Sequence, residues 1–263
     1  MSARRDEMLK EMGLAPVWRL RERSGVAAGG AEAPGVEAPP AIAEVPSVPE
    51  ISGVSAAAPA AGESDRRATI MRMDWSALRE TARHCTQCPL HARRNQAVFG
   101  VGDENADWLF VGEGPGADED ALGDPFVGQA GKLLDNMLAA VDLKRGSNVY
   151  IANIVKCRPP GNRNPEPAEA RECEPFLQRQ IDLIRPRLIV ALGRVAAVNL
   201  LAREATIASL RGRVLDYKGT PLIVTYHPAY LLRNLTDKAK AWEDLCFALS
   251  TMDRLQTAAA APN

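Results

Sequence analysis

Four short apolar runs, 107–112, 148–155, 188–192 and 221–226, alternate with segments whose apolar residues recur at helical spacing, and that alternation leaves few folds open. Runs this short and this uniformly apolar suit strands buried on both faces. Between them Ala130, Leu133, Leu134, Met137, Leu138 and Val141 mark one face of a helix. A second helical pattern ends at Ile184, with Pro175 starting or kinking it, and a third spans 193–203. Thr236 is the expected cap of a last helix whose stripe is Trp242, Leu245, Cys246, Leu249 and Met252. Strands joined through helices run parallel, because the crossover returns the chain to the end of the sheet from which the previous strand began. The expected fold is therefore α/β, a three-layer α/β/α domain around a central four-stranded parallel sheet. Chemistry in such sheets lies beyond the carboxyl ends of the strands, which selects the loops 113–129, 156–167 and 227–234.

The 263 residues are not uniform. Of the 41 residues from 25 to 65, 24 are Ala, Pro or Gly, six are carboxylates, and none is aromatic, Lys or Arg. Such a stretch has too little apolar surface to offset the entropy of ordering it and reads as an acidic disordered linker. The expected division is a short docking segment at 1–24, a linker at 25–70, a domain at 71–256 and a disordered tail at 257–263. Although the whole chain carries a formal charge of −1, residues 66–263 carry +3, a mildly basic domain. The segment from Met8 to Leu20, with Trp18 among its apolar residues, is a candidate protein-docking motif on a tether; a terminal segment folded back on the domain is the alternative. The longest apolar stretch, 188–202, is broken by Arg194 and falls short of the ~20 residues of a membrane span. No export signal is visible, and five cysteines, an odd number, suit a reducing compartment. A cytoplasmic, bacterial-type, nucleoid-associated monomer with no membrane contact is expected.

Four of those cysteines stand out. Cys85 and Cys88 form a C-x-x-C pair, Cys157 follows the second apolar run, and Cys173 comes 16 residues later. A redox pair would follow a strand into a helix, and this one precedes the first strand. Spacing alone leaves a zinc ion, an iron–sulfur cluster and unliganded buried thiols all open. Cys246, on the stripe of the last helix, reads as a core residue.

Gly112-Glu113-Gly114-Pro115-Gly116 follows a strand but lacks the spacing of a dinucleotide loop, and Pro115 removes a backbone N–H that a phosphate would use. The acids that follow it repel a pyrophosphate, so an uncharged planar ring is the better guest. A solvated acidic loop plugged by Phe126 is the bland alternative. Asn153 and His227, each near a strand's carboxyl end, are candidates for base recognition and charge stabilisation, and each has an ordinary structural reading beside it.

Taken in order, these pieces resemble the iron–sulfur, family 4 uracil-DNA glycosylases. The resemblance rests on Cys85-x-x-Cys88, 112–116, Pro125-Phe126-Val127-Gly128, Asn153-Ile-Val-Lys-Cys157-Arg-Pro-Pro, Cys173, Ala191-Leu192-Gly193 and the run from His227 to Arg233, and it spans about residues 75–255. Asp124 departs from the family, where a basic residue is common, and Gly114 stands where other uracil glycosylases carry their catalytic acid.

The resemblance implies a structural [4Fe–4S] cluster on Cys85, Cys88, Cys157 and Cys173, and uracil-containing DNA, single- or double-stranded, as substrate. It implies that Phe126 stacks on a flipped uracil, Asn153 reads N3–H and O4, and Glu119 lies near C5. His227 and backbone N–H groups near Gly114 would stabilise the departing anion, with Glu113 positioning water or the sugar cation. Lys156, Arg158, Arg163 and Arg233 are expected phosphate contacts, and Leu231 or Leu232 the wedge left in the stack. A non-catalytic iron–sulfur DNA-binding module of a polymerase or repair complex, and a zinc-stabilised nucleotide-binding domain, are the competing readings.

Overall fold

The computed structural model describes residues 61–260. The proposed docking segment, most of the proposed linker and the last three residues lie outside the described residues.

One sheet organises the rest. Its strands are β1 (Val101–Gly102), β2 (Trp108–Gly112), β3 (Val149–Asn153), β4 (Leu188–Leu192), β5 (Leu215–Tyr217) and β6 (Thr220–Thr225), in the order β1-β3-β2-β4-β6-β5. The helices are α1 (Ala61–Ile70), α2 (Trp75–Arg83), α3 (Ala117–Leu122), α4 (Gln129–Ala139), α5 (Pro167–Ile184), α6 (Arg194–Leu201), α7 (Ile207–Leu210), α8 (Pro228–Leu231) and α9 (Lys238–Ala260). The central strands β3, β2, β4 and β6 are parallel and match the four apolar runs to within two residues at each end. The sheet is nevertheless six-stranded and mixed, because β1 and β5 add to its edges antiparallel. Both are two or three residues long, too short to carry an apolar run of their own.

Alternation along the strands divides the core into two layers. Leu109, Val111, Ala152, Ile189, Ala191, Leu222 and Val224 face α5 and α6, meeting Phe176, Leu177, Ile181, Ala196 and Ala197. Trp108, Phe110, Ile151, Val190, Leu192 and Ile223 face the other way, onto Leu134 and Leu138 of α4 and Ala248 and Met252 of α9. With the strands buried on both sides, the three-layer α/β/α expectation holds.

Several local expectations give way. Pro175 does not start its helix: α5 begins at Pro167, where the Glu169 carboxylate accepts the Glu166 N–H. That capping box outweighs the interior proline and places Cys173 within the helix. Thr236 lies in a short 3-10 turn (Leu235–Asp237) before α9 and does not cap it. Cys246 is exposed, because the buried stripe of α9 is Ala241, Asp244, Leu245, Ala248 and Met252. Helix α1 falls inside the stretch assigned to the linker, where Arg67 pairs with Glu174 of α5 at 2.6 Å, and α9 continues through residues assigned to the tail. No described helix is long and apolar enough to cross a membrane.

Candidate active site

Glu113, Gly114, Glu119, Phe126, Asn153, Arg163, His227 and Arg233 line one pocket of about 400 Å³ at the carboxyl ends of the parallel strands. A larger groove, about 600 Å³, runs between α5 and α6 and shares only Asn164 with it; it holds none of the predicted site residues.

Strand register builds the floor of the pocket. Gly112 and Asn153 are paired residues at the ends of β2 and β3, so the Asn153 side chain and the Phe126 ring converge over a residue with no side chain. A Cβ on Gly112 would lie 2.5 Å from both Asn153 Oδ1 and Phe126 Cζ. Gly112→Ala is therefore expected to displace one or both and to lower activity at this pocket by about 10²-fold, while the apolar sheet beneath still folds; single-turnover kinetics and the thermal midpoint, measured together, check it.

Asn153 is 2% exposed, and its Oδ1 is a buried acceptor with no hydrogen-bond partner. A buried amide oxygen left unpaired costs stability, and at the floor of an open pocket it marks where a donor from outside is received.

His227 caps α8, its Nδ1 accepting the Ala229 N–H at 3.2 Å. A backbone N–H only donates, so Nδ1 holds the lone pair and the proton sits on Nε2. The ring lies 5.5 Å from that of Phe126, tilted by 32°. Burial, with the positive charge of Arg233 adding to it and Glu119 opposing, pushes the imidazole down to about 4. The group offered to the pocket is a neutral N–H donor.

Glu119 organises the loop. Its Oε2 accepts the Gly116 N–H at 3.0 Å, and its Oε1 accepts those of Val127 and Gly128 at 3.0 and 3.1 Å. This one carboxylate joins the start of α3 to the turn carrying Phe126. Glu113, the other acid of the pocket, is held above the usual carboxylate range by burial.

Two predicted DNA contacts are corrected by burial. Lys156 is 1% exposed, and its Nζ donates to the Asn153 carbonyl at 3.0 Å and to Gln180 Oε1 at 2.6 Å. It stands behind Asn153, with burial pushing its ammonium down to about 8, and cannot reach a phosphate. Its position between Val155 and Cys157, at the end of an apolar run, is the signal for this. Leu231 is wholly buried against Leu133, Met137 and Leu245, so only Leu232, 42% exposed, is placed to act as a wedge. Arg163 reaches the pocket but is held by the Glu169 carboxylate at 2.8 and 2.7 Å, whereas Arg158 donates to Asn162 and Arg233 is exposed.

Cys85, Cys88, Cys157 and Cys173 line one small cavity beside this pocket, with Arg94, Lys156 and Phe176. Arg94 Nη1 donates to Cys157 Sγ at 2.8 Å, Arg66 Nη2 to Cys85 Sγ at 3.7 Å, and the Lys156 N–H to Cys173 Sγ at 3.2 Å. Donors directed at sulfur favour thiolate ligands. The four thiols around one cavity form a sulfur-only donor set, and among the described residues no group of three His, Cys, Asp or Glu side chains could hold a single metal ion.

Residues 99–246 match the model of the uracil DNA glycosylase superfamily. Over 156 residues the chain is 49% identical to a type-4 uracil-DNA glycosylase of Archaeoglobus fulgidus, covering 56% of this chain and 78% of that one. It is 44% identical over 163 residues to the type-4 enzyme of Thermotoga maritima, covering 61% and 84%. The type-4 enzyme of Pyrobaculum aerophilum is 41% identical over 183 residues, covering 66% and 92%.

Proposed function

This chain belongs to the uracil DNA glycosylase superfamily, and from that premise we propose that it flips uracil out of DNA, hydrolyses its N-glycosidic bond and leaves an abasic site for repair. The observation that carries this reading is the unpaired Asn153 Oδ1 at the floor of the pocket. Uracil presents N3–H as a donor and O4 as an acceptor, and an amide answers both. Cytosine reverses the pattern at both positions.

A base enters such a pocket only after unstacking, which costs roughly a few kcal/mol and least for a mispaired base. Phe126 receives its face. Glu119 stands at the C5 edge, where the family places the residue that excludes the thymine methyl. As the bond breaks, charge grows on uracil O2, and the Nε2–H of His227 with the backbone N–H near Gly114 meets it. Glu113 positions the water or steadies the sugar cation, and the burial that raises its pKa makes its carboxylate form a stronger base and a less screened counter-charge. Arg158 and Arg233 take phosphates, with Leu232 filling the gap in the stack.

Cys85, Cys88, Cys157 and Cys173 would hold a [4Fe–4S] cluster. When bound, it supplies a rigid cross-link between the N-terminal helices, the loop after β3 and α5, which steadies the segment carrying Arg158 and Arg163. Cytoplasmic location, a monomeric state and a protein partner for residues 1–24 complete the proposal.

The test is an oligonucleotide carrying one U, beside matched T and C strands, treated with purified protein and then hot alkali. Strand breakage at U alone is expected; an intact U strand would reject the reading and favour the non-catalytic module. Iron and sulfide in equal amounts in the purified protein are expected for the cluster, whereas a zinc protein is colourless and contains neither.

A further inference from the structure

We infer that Arg145, held by Asp135, is a positioning residue that sets the conformation of the Phe126 ring; the inference rests on the proposed stacking of uracil on that ring. Phe126 has a φ of +56°, a left-handed backbone in which the Cβ of a bulky residue crowds the neighbouring carbonyl. A conformation of this kind persists only where its surroundings fix it. Here they do so on every side. Arg145 Nη1 donates to the Pro125 carbonyl and Nη2 to the Phe126 carbonyl, both at 2.8 Å. Its Nε donates to Asp135 Oδ1 at 3.0 Å, which sets the plane of the fork. The N–H groups of Val127 and Gly128 are already taken by Glu119. Helix α4 closes the last side, since a Cβ on Gly131 would lie 1.8 Å from the Phe126 oxygen.

The consequence is directional. With both carbonyls turned back onto the guanidinium, the Phe126 side chain turns forward, against His227 and over Gly112. Arg145 itself does not line the pocket. It comes from the loop between α4 and β3, outside every motif of the family resemblance, and a lysine there would supply one bond where the fork supplies two.

Single-turnover excision from a U-containing strand, with inhibition by free uracil measured alongside, tests the inference by a double-mutant cycle. Arg145→Ala is expected to lower excision about 10- to 100-fold and to weaken inhibition by free uracil, with Arg145→Lys intermediate. Because Arg145 acts through the ring, its removal should change nothing further once Phe126→Ala is present, to within about twofold. Losses that multiply in the double variant, or an Arg145→Ala protein that excises normally, would overturn the inference. Should Arg145→Ala fail to fold, Asp135→Asn, at a half-exposed position, carries the same cycle, and coupled or multiplying losses decide it in the same way. A wild-type protein that leaves uracil in place defeats the function reading itself and is distinguished from either result.

Discussion

Asn153→Asp is expected to lower uracil excision by about 10²- to 10³-fold and to make cytosine excision measurable. The substitution keeps the size of the side chain and the oxygen that accepts N3–H. It replaces the NH₂ group with a second oxygen, which faces uracil O4 with no proton between them. A buried polar group left against a like partner forfeits its hydrogen bond and its desolvation cost together, which is why sites built to pair a donor discriminate so strongly. Cytosine fares better, because its exocyclic amine donates to the new oxygen, and cytosine N3, protonated beside the carboxylate, donates to the other. Single-turnover assays on matched U and C strands give the ratio directly. A variant that kept its preference for uracil over cytosine at the wild-type level would show that discrimination lies elsewhere in the pocket.

The sequence carries the parts of this site that sit at strand ends. Asn153 lies near the end of one apolar run and His227 just past another, the strand ends being legible to within two residues, and parallel strands bring their carboxyl ends to one side of the sheet. The pairing of Gly112 with Asn153 needs the register as well, which no local pattern prints. The short edge strands are invisible for a related reason: two or three residues hold no periodicity. Lys156 and Leu231 mislead because a side chain's direction depends on what packs behind it. Lys156 lies in a basic stretch that suggests DNA, yet its ammonium is claimed by Gln180 and the Asn153 carbonyl. Arg145 illustrates the harder case. Its fork bonds to two backbone carbonyls some twenty residues away, a contact set by the turn of α4 and carried by no motif. The cysteines are legible as a set but not as a metal; four of them around one cavity, with arginine donors at two of the sulfurs, is a tertiary fact.

His227→Ala is expected to reduce single-turnover excision by about 10²- to 10³-fold, the loss typical of one donor at a developing anion, with binding to uracil-containing DNA changed only a few-fold. The pH dependence separates a neutral donor from a charged one. With the imidazole pushed down to about 4 by burial, its contribution to the rate should stay level from about pH 8 to about pH 5.5, whereas an imidazolium would lose its effect through the ordinary histidine range near 6.5. Protonation would also break the bond from Ala229 to Nδ1, so acid acts on the fold as well as the chemistry. The sign follows from linkage. The unfolded chain takes up this proton first as pH falls below about 6.5, so stability declines from there to about 4, by roughly 3 kcal/mol in all from this one group. Urea unfolding midpoints across that range should fall less steeply in His227→Gln, which keeps a donor without titrating and is expected to retain more activity than His227→Ala. A rate profile with an acidic or basic limb near 6.5 that disappears in the glutamine variant would assign the work to the charged ring and overturn the neutral-donor account.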